Sequence, residues 1–186
     1  MEIIEKLSNS NIVNVIDLLH DAQNFYIVTE EMDQGNIMLE IMSRRFCSKG
    51  SSKMSETEVR YIAKQLFRSL ECMHRQEIVH ADIRLDNIKI KGKHQLKNGS
   101  SNQHYYEVKL TDFRHAHNFN NRKVYQRNIQ YYQAPEIINQ QMYDSKIDVW
   151  SACVVIYILL TGHMPPYNDR KLTSTKHTFK WSNLLT

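Results

Sequence analysis

The sequence is poor in glycine, proline and cysteine, and each shortage excludes a class of protein. Its 186 residues include 5 glycines, 3 prolines and 3 cysteines. Fibrous and low-complexity proteins contain far more glycine and proline, and disulfide-rich secreted domains contain more cysteine, usually in an even number. Cys47, Cys72 and Cys153 form no C-x-x-C pair. We therefore expect reduced thiols and a cytoplasmic location, with the nucleus as the alternative.

Long runs of charge and long apolar runs are also missing. The formal net charge is only +4 and no five basic residues are consecutive, so we expect no nucleic-acid partner. The longest apolar segment, residues 152–160, is too short for a membrane span, which takes about 20 residues. We therefore expect no membrane partner. With 41% hydrophobic and 24% charged residues, the chain has a globular composition and is long enough for one domain.

Alternating apolar residues predict two pairs of strands. The segments 12–20 and 24–30 flank the polar turn 21–23 and predict a first hairpin. The segments NIKIK and YYEVKLT predict two further strands. Between them, from Gly92 to His104, the sequence is rich in polar residues and predicts a surface loop.

Helical periodicity predicts two long helices. Ser55 and Glu58 make a capping box, S-x-x-E, in front of apolar residues at helical spacing. A second helix should begin at Asp144 or Ser145 and end before Gly162, since glycine commonly follows a helix. This second helix is apolar nearly all round, so we expect it to be buried.

The most informative residues are His80, Asp82 and Asn87, in the stretch HADIRLDN. A carboxylate followed five residues later by an amide can form a compact polar turn, which offers a base to a hydroxyl and an oxygen to Mg²⁺. The segments TDF (111–113), QAPE (133–136) and DVWS (148–151) follow in this order. Each alone is a weak match, because aspartate is common in turns. Together and in this order they are a strong one.

With these motifs, the chain resembles a eukaryotic-type Ser/Thr protein kinase of the calcium-dependent or calcium/calmodulin-dependent kind. The resemblance implies an α+β, protein kinase-like fold. Residues 1–32 would be a remnant of the N-lobe β-sheet, and residues 33–186 a mostly helical C-lobe that lacks much of its C-terminal helices. The family reaction transfers the γ-phosphate of ATP to protein Ser or Thr. ATP and Mg²⁺ are therefore the implied cofactors, and the implied partner is a protein substrate or another protein.

The resemblance also implies catalytic and metal-binding roles. Asp82 would accept the proton of the substrate hydroxyl. Arg84 stands where the family has a lysine that contacts the transferred phosphate, and an arginine keeps that charge but not its geometry. Asn87 and Asp112 would be the Mg²⁺ ligands, because this ion prefers oxygen donors.

The nucleotide-binding positions follow from the same resemblance. Thr29 would be the gatekeeper residue, and Glu30 to Met32 would form the hinge that contacts the base. Lys89 falls where the family places an apolar floor beneath the adenine. A lysine at that position must reach solvent or a partner, because an unpaired buried ammonium costs several kcal/mol. Because these 186 residues also lack the glycine-rich loop and the lysine that hold the ATP phosphates in the family, we expect ATP to bind weakly.

Five positions match the internal architecture of the family. Ile4, Val15, His80 and Phe113 correspond to a stacked apolar column that joins the two lobes. Asp148 corresponds to the anchor of this column on the second long helix. These correspondences predict contacts between the catalytic loop, the TDF segment and that helix.

Several positions depart from the family pattern. Ala81 replaces the arginine of the HRD motif, Arg114 replaces the glycine of DFG, and Ile129 replaces a threonine near APE. Residues 113–136 contain no Ser or Thr, so we expect no activation by Ser/Thr phosphorylation there. The 186 residues contain no G-x-G-x-x-G, the loop that covers the ATP phosphates in the family.

Two functions therefore remain open. The first is a Ser/Thr kinase in which this chain by itself is catalytically impaired. The alternative is a pseudokinase that acts as a protein-interaction module. In either case an incomplete N-lobe sheet would expose strand edges, and such edges promote association between chains.

Overall fold

The computed structural model describes residues 6–47, 53–95, 104–119 and 130–166. Among these residues the strands are β1 (Val15–His20), β2 (Phe25–Thr29), β3 (Ile78–Val79), β4 (Ile88–Gln95), β5 (His104–Leu110) and β6 (His117–Asn118). The helices are α1 (Ile37–Cys47), α2 (Glu56–His74), α3 (Pro135–Ile138) and α4 (Lys146–Thr161). Single turns of 3-10 helix lie at Leu85–Asn87, Phe113–His115 and Gln130–Tyr132. Helices and strands are mixed along the chain, as in an α+β fold.

β1 and β2 form the first predicted hairpin. They pair antiparallel, with Val15 opposite Thr29. The Asp21 carboxylate accepts the N–H of Gln23 at 2.7 Å and so closes the polar turn between the strands. Within the described residues, these two strands form a sheet of their own. Both outer edges of this hairpin therefore lack a strand partner there.

β4 and β5 form the second hairpin, which is longer than the sequence indicates. Their antiparallel pairing extends to Gln95 opposite His104. The prediction of a surface loop from Gly92 to His104 is therefore wrong at both ends. The outer part of β4 is mostly exposed, and a solvated strand tolerates the polar residues that suggested a loop. Residues 96–103 of that predicted loop lie outside the described residues.

α2 begins at the predicted capping box. The Ser55 hydroxyl accepts the N–H of Glu58, and the Glu58 carboxylate accepts the N–H of Ser55. The apolar side chains at helical spacing are buried, namely Val59, Ile62, Leu66, Leu70 and Met73. Their side of the helix packs against β5 and α4. This packing places the C-terminal end of α2 close to the loop between β3 and β4, residues 80–87.

α4 has the predicted boundaries. The Asp144 carboxylate accepts the N–H of Lys146 at 2.8 Å, whereas Ser145 takes the N-cap position without a side-chain hydrogen bond. Gly162 ends the helix with a φ of 75°, a left-handed conformation that glycine adopts without steric cost. The prediction that α4 is buried nearly all round is only partly right, because Val149 on its outer side is 37% exposed.

The core lies where α1, α2 and α4 meet β4 and β5. At its edge the rings of His80 and Phe113 lie 4.9 Å apart, so this contact of the predicted apolar column is confirmed. Val15 is half-buried, and Ile4 lies outside the described residues. Within the described part of the chain, no helix has the length and apolar content needed to cross a membrane.

Candidate active site

Asp82 and Asn87 contact each other across the loop between β3 and β4. The Asn87 amide donates through Nδ2 to the backbone carbonyl and to the carboxylate of Asp82, each at 2.9 Å. The 3-10 turn at Leu85–Asn87 brings the amide back towards Asp82. Asn87 is buried and Asp82 is half-buried. The stretch HADIRLDN thus forms the compact polar turn that its sequence predicts.

His80 connects this loop to the strand end that precedes Asp112. Its fully buried imidazole lies with Nε2 at 3.0 Å from the carbonyl oxygen of Thr111. A carbonyl oxygen only accepts, so Nε2 carries the hydrogen and Nδ1 accepts the N–H of Asp82 at 3.2 Å. Burial lowers the pKa of His80. A neutral ring in this tautomer therefore holds the two halves of the site together.

Asp148 anchors the same loop from α4. Its carboxylate is 1% exposed and accepts the backbone N–H groups of both His80 and Ala81. It also contacts Nε2 of His74, at the end of α2. Ala81 has a φ of 60°, which is uncommon for a residue other than glycine. The predicted anchor position of Asp148 is confirmed, whereas the contact with His74 was not predicted from the sequence.

Asp112 is placed beside Asn87 by the residue that precedes it. The N–H and the hydroxyl of Thr111 both donate to the carbonyl oxygen of Asn87, at 2.9 and 3.1 Å. Asp112 itself has a φ of 63°, in the left-handed region. The start of β4 and the end of β5 thus bring the two predicted metal ligands to one place.

Arg114 forms a fork on the carboxylate of Asp112. Its Nε donates to Oδ1 and its Nη2 to Oδ2, both at 2.6 Å. This guanidinium lowers the pKa of the Asp112 carboxyl below its ordinary value. The Arg114 side chain is 73% exposed and that of Asp112 is 19% exposed. The sequence shows that the family's glycine is replaced at this position, but it did not predict the ion pair between Arg114 and Asp112.

Arg84 is paired within the catalytic loop. Its Nε and Nη2 donate to the same oxygen of Asp86, at 2.9 and 2.6 Å. Burial alone would lower the pKa of Arg84, but Asp86 and, more weakly, Asp82 keep it raised. The cation therefore stays close to the Asp82 carboxylate while its hydrogen bonds go to a different acidic residue.

The predicted nucleotide-binding residues lie along β2, the segment after it and β4. Thr29 is the last residue of β2 and is exposed, whereas Glu30 and Met32 are half-buried. Lys89 lies on β4, half-buried, and its backbone forms a bridge with Asn36 just before α1. Glu30 also forms ion pairs with Lys91 on β4 and with Lys109 on β5, so these residues share one region, next to the end of the loop between β3 and β4.

Lys109 belongs to this region and was missed by the sequence reasoning. It lies opposite Lys89 on β5, its side chain is 7% exposed, and its ammonium pairs with the carboxylate of Glu30. Burial alone would raise the pKa of Glu30, but the hydrogen bond from Lys109 helps to keep it lowered. Tyr106, Val108 and Leu110 are the buried apolar positions of β5, so the alternation along YYEVKLT puts Lys109 on the other face and gave no signal that it is buried.

The oxygens of Asn87 and Asp112 fit a magnesium ion that the phosphates of a bound nucleotide also coordinate. Among the described residues, no group of three or more His, Cys, Asp or Glu could hold a metal. Asn87 uses Nδ2 on Asp82, which turns its Oδ1 away from that carboxylate, and Asp112 supplies carboxylate oxygens. Mg²⁺ is commonly bound by one or two such oxygens, with phosphate and water completing the shell. Asn87 and Asp112 therefore suit Mg²⁺ bound together with a nucleotide.

Comparison with known proteins gives the same family. Residues 1–184 match the protein kinase domain. The chain is 33% identical to the serine/threonine-protein kinase TIO of Arabidopsis thaliana over 97% of its own length and 12% of the relative's. It is 29% identical to calcium-dependent protein kinase 4 of Plasmodium berghei over 96% of its length and 32% of the relative's. The chain belongs to the protein kinase domain family.

The solved structures agree with this assignment. The crystal structure of the Rad53 kinase domain and SCD2 superposes with a TM-score of 0.68 at 26% identity, covering 92% of this chain and 56% of that one. The same protein in complex with AMPPNP gives a TM-score of 0.67. The predicted kinase-like fold is confirmed. The chain spans about a third or less of the curated relatives' length, and the division into residues 1–32 and 33–186 stays a prediction.

Proposed function

We propose that Asp82, Asn87 and Asp112 form the phosphotransfer site of a Ser/Thr protein kinase, and that these 186 residues by themselves transfer phosphate slowly. The contact between the Asn87 amide and the Asp82 carboxylate is the observation that carries the proposal. It orients the half-buried carboxylate of Asp82, and the hydrogen bonds of Thr111 to Asn87 bring the neighbouring Asp112 to the same loop. The substrate class is a Ser or Thr hydroxyl of a protein.

In this function Asp82 accepts the proton of the substrate hydroxyl as that oxygen attacks phosphorus. The Asn87 amide fixes the direction of the carboxylate, and the His80 ring fixes the backbone of the same residue. Positioning of this kind is the main contribution that a protein makes to phosphoryl transfer. Arg84 would lie near the transferred phosphate, and its hydrogen bonds to Asp86 hold its side chain within the loop.

ATP would lie along Thr29, Glu30 to Met32 and Lys89. Asn87 and Asp112 would hold Mg²⁺, which, when bound, neutralises charge on the β- and γ-phosphates. The Glu30 N–H donates to the carbonyl oxygen of Asn14, so the base would be contacted by the Glu30 carbonyl oxygen and by the backbone of residues 31 and 32. Slow transfer is expected because Lys89 places an ammonium where the family has an apolar floor, and no glycine-rich loop occurs among the 186 residues.

A protein-interaction module without catalysis is the second candidate. The fork of Arg114 on Asp112 favours it, because a cation already sits on the carboxylate that would hold Mg²⁺. In that case the loop around Asp82 would be retained as a structural turn. The two functions differ in whether the Asp82 carboxylate matters for any measurable transfer.

The test is transfer of labelled γ-phosphate from ATP to Ser- and Thr-containing proteins. It uses the chain alone and the chain fused behind two segments of a calcium-dependent kinase. These segments are the glycine-rich loop and the following strand, whose lysine contacts the ATP phosphates. We expect slow transfer by the chain alone and faster transfer by the fused protein. Asp82→Asn should reduce the rate of the fused protein by about 100-fold or more at unchanged nucleotide affinity, as expected of a group that acts mainly in the transition state.

Asp17→Asn is the matched control, since Asp17 is an exposed carboxylate on β1, outside the loop. It should leave the rate unchanged. Full activity of Asp82→Asn would remove the proposed role of that carboxylate. A fused protein that folds and binds nucleotide but transfers no phosphate would favour the interaction module.

A further inference from the structure

The carboxylate of Asp112 is fully engaged by a cation of the chain itself. Arg114 places one nitrogen on each of its two oxygens, at 2.6 Å in both cases. The two residues are separated only by Phe113, which starts a 3-10 turn. The fork is therefore a local contact that forms without any distant part of the fold.

A guanidinium fork and a magnesium ion make competing demands on one carboxylate. Each needs the lone pairs of the oxygens, and both are positively charged, so their simultaneous presence brings like charges together. An aspartate carboxyl and a guanidinium are both charged at neutral pH at their ordinary pKa values, so the competition persists there.

Because the Arg114 side chain is exposed, its guanidinium competes with a metal ion for Asp112 and does not block the site permanently. Its side chain is 73% exposed, so it can leave the carboxylate for solvent without breaking any packed contact. Exposed ion pairs are weak and are screened by salt. A divalent ion at sufficient concentration can therefore displace the guanidinium.

We propose that Arg114 is an internal competitor of the divalent cation at Asp112 and raises the metal concentration that the site requires. This inference rests on the proposed function in taking Asp112 as a metal ligand. The opposite role for the same contact is that Arg114 orients Asp112 and thereby helps metal binding. The two roles predict opposite changes in metal affinity when the guanidinium is removed.

The experiment titrates the full chain with Mn²⁺ alone and follows the free ion by electron paramagnetic resonance. Arg114→Gln should bind Mn²⁺ about 3- to 10-fold more tightly than the unchanged chain, the scale expected when an exposed pair and its repulsion are removed. Arg114→Lys loses the fork but keeps the charge and its repulsion, so its Mn²⁺ affinity should lie between those of the unchanged chain and Arg114→Gln. High salt should reduce the difference between the chains.

Two further variants make the result specific. Asp112→Asn should abolish the gain in the Arg114→Gln background. Arg75→Gln removes the same charge from another exposed ion pair, with Glu71 on α2, and should leave Mn²⁺ affinity unchanged. Circular dichroism is the control that each variant is folded.

Three results would overturn the inference. They are equal or weaker binding by Arg114→Gln, an equal gain from Arg75→Gln, and no Asp112-dependent binding in any chain. A gain in metal affinity without any phosphotransfer would leave the inference intact and count against the proposed function. Phosphotransfer without the gain would do the reverse.

Discussion

Asp148 and His80 are joined by a hydrogen bond in which the backbone N–H of His80 donates to Oδ2 of Asp148 at 2.8 Å. The other oxygen of the same carboxylate accepts the N–H of the next residue, Ala81, at 2.9 Å. The helix α4 thus holds the first two residues of the catalytic loop through one buried side chain. Asp82 and Asn87, the candidate catalytic and metal-binding residues, lie in the same loop. Asp148 therefore holds the backbone that positions them.

Replacement of Asp148 is expected to lower the free energy of unfolding strongly. Asp148→Ala leaves two backbone N–H groups without their partner, and each buried unsatisfied donor costs about 1–3 kcal/mol. We expect a loss of about 3 kcal/mol or more in the free energy of unfolding, measured by urea titration. Glu71→Ala is the control, since it removes a carboxylate that is 58% exposed in a surface ion pair and should cost less than about 1 kcal/mol. Equal effects of the two variants would contradict the anchoring role.

The ion pair of Arg44 with Glu58 should make stability depend on pH in the acid range. The Glu58 side chain is 3% exposed. Burial alone would raise its pKa, but hydrogen bonds from Arg44 and Ser55 lower it to about 2 from 4.5. Because the folded-state pKa is depressed, the unfolded chain binds the proton more readily. The stabilisation is present above about pH 4.5 and is lost as pH falls towards 2.

Glu58→Gln tests this pH dependence. The variant keeps a capping side chain but loses the charge, so it should be less stable than the unchanged chain by about 2–3 kcal/mol at pH 7. The difference should shrink on acidification from pH 5 to pH 3, in thermal unfolding followed by circular dichroism. Glu56→Gln, at an exposed position of the same turn, should show no such convergence. A difference independent of pH would contradict the assignment to Glu58.

Lys89 is expected to weaken nucleotide binding. It is half-buried and lies opposite a second lysine, Lys109, whose own charge is already paired with Glu30. We expect the unchanged chain to bind ATP with Mg²⁺ more weakly than about 1 mM, equivalent to about 4 kcal/mol or less. Lys89→Leu should improve this affinity about 3- to 10-fold, because it restores an apolar floor.

Ligand-observed NMR titration with ATP can measure this change. Lys64→Leu, at an exposed position of α2, makes the same substitution away from the proposed nucleotide-binding residues and should have no effect. A micromolar dissociation constant for the unchanged chain, or equal affinities for Lys89→Leu and the original, would show that Lys89 does not limit binding.

The hairpin of β1 and β2 should drive association between chains. Ile16 is 64% exposed and Phe25 is 70% exposed, and both strand edges are unpaired within the described residues. Exposed edges of apolar strands readily pair with another chain. We expect concentration-dependent association in sedimentation velocity, reduced by Phe25→Lys. Phe46→Lys alters a side chain that is 83% exposed on a helix, α1, and should reduce it far less. A monomer at all concentrations would contradict this prediction.

Much of the fold could be predicted from local sequence because its signals are local. The capping box at Ser55 and Glu58, the turn at residues 21–23 and the glycine that ends α4 each act over a few residues. The loop from Gly92 was predicted wrongly for the same reason. Cross-strand pairing with β5, rather than polar composition, determines where β4 ends.

The candidate site was predicted in part. The order of the motifs indicated Asp82, Asn87 and Asp112, and the spacing inside HADIRLDN indicated a compact turn. The partners of these residues could not be predicted, because they come from distant segments. Thr111 reaches Asn87 from the end of β5, and no local pattern specifies that contact.

The sequence by itself determined the family, the boundaries of α2 and α4 and the residues available for chemistry, because these depend on motifs and on periodicity along the chain. Only the tertiary structure decided how the charges are paired. It placed Lys109 on Glu30, and it brought His74 and the loop amides to Asp148. Even the fork of Arg114 on Asp112 depends on side-chain directions that the backbone of the turn sets. Pairing of charges needs distances in space, and sequence separation does not supply them.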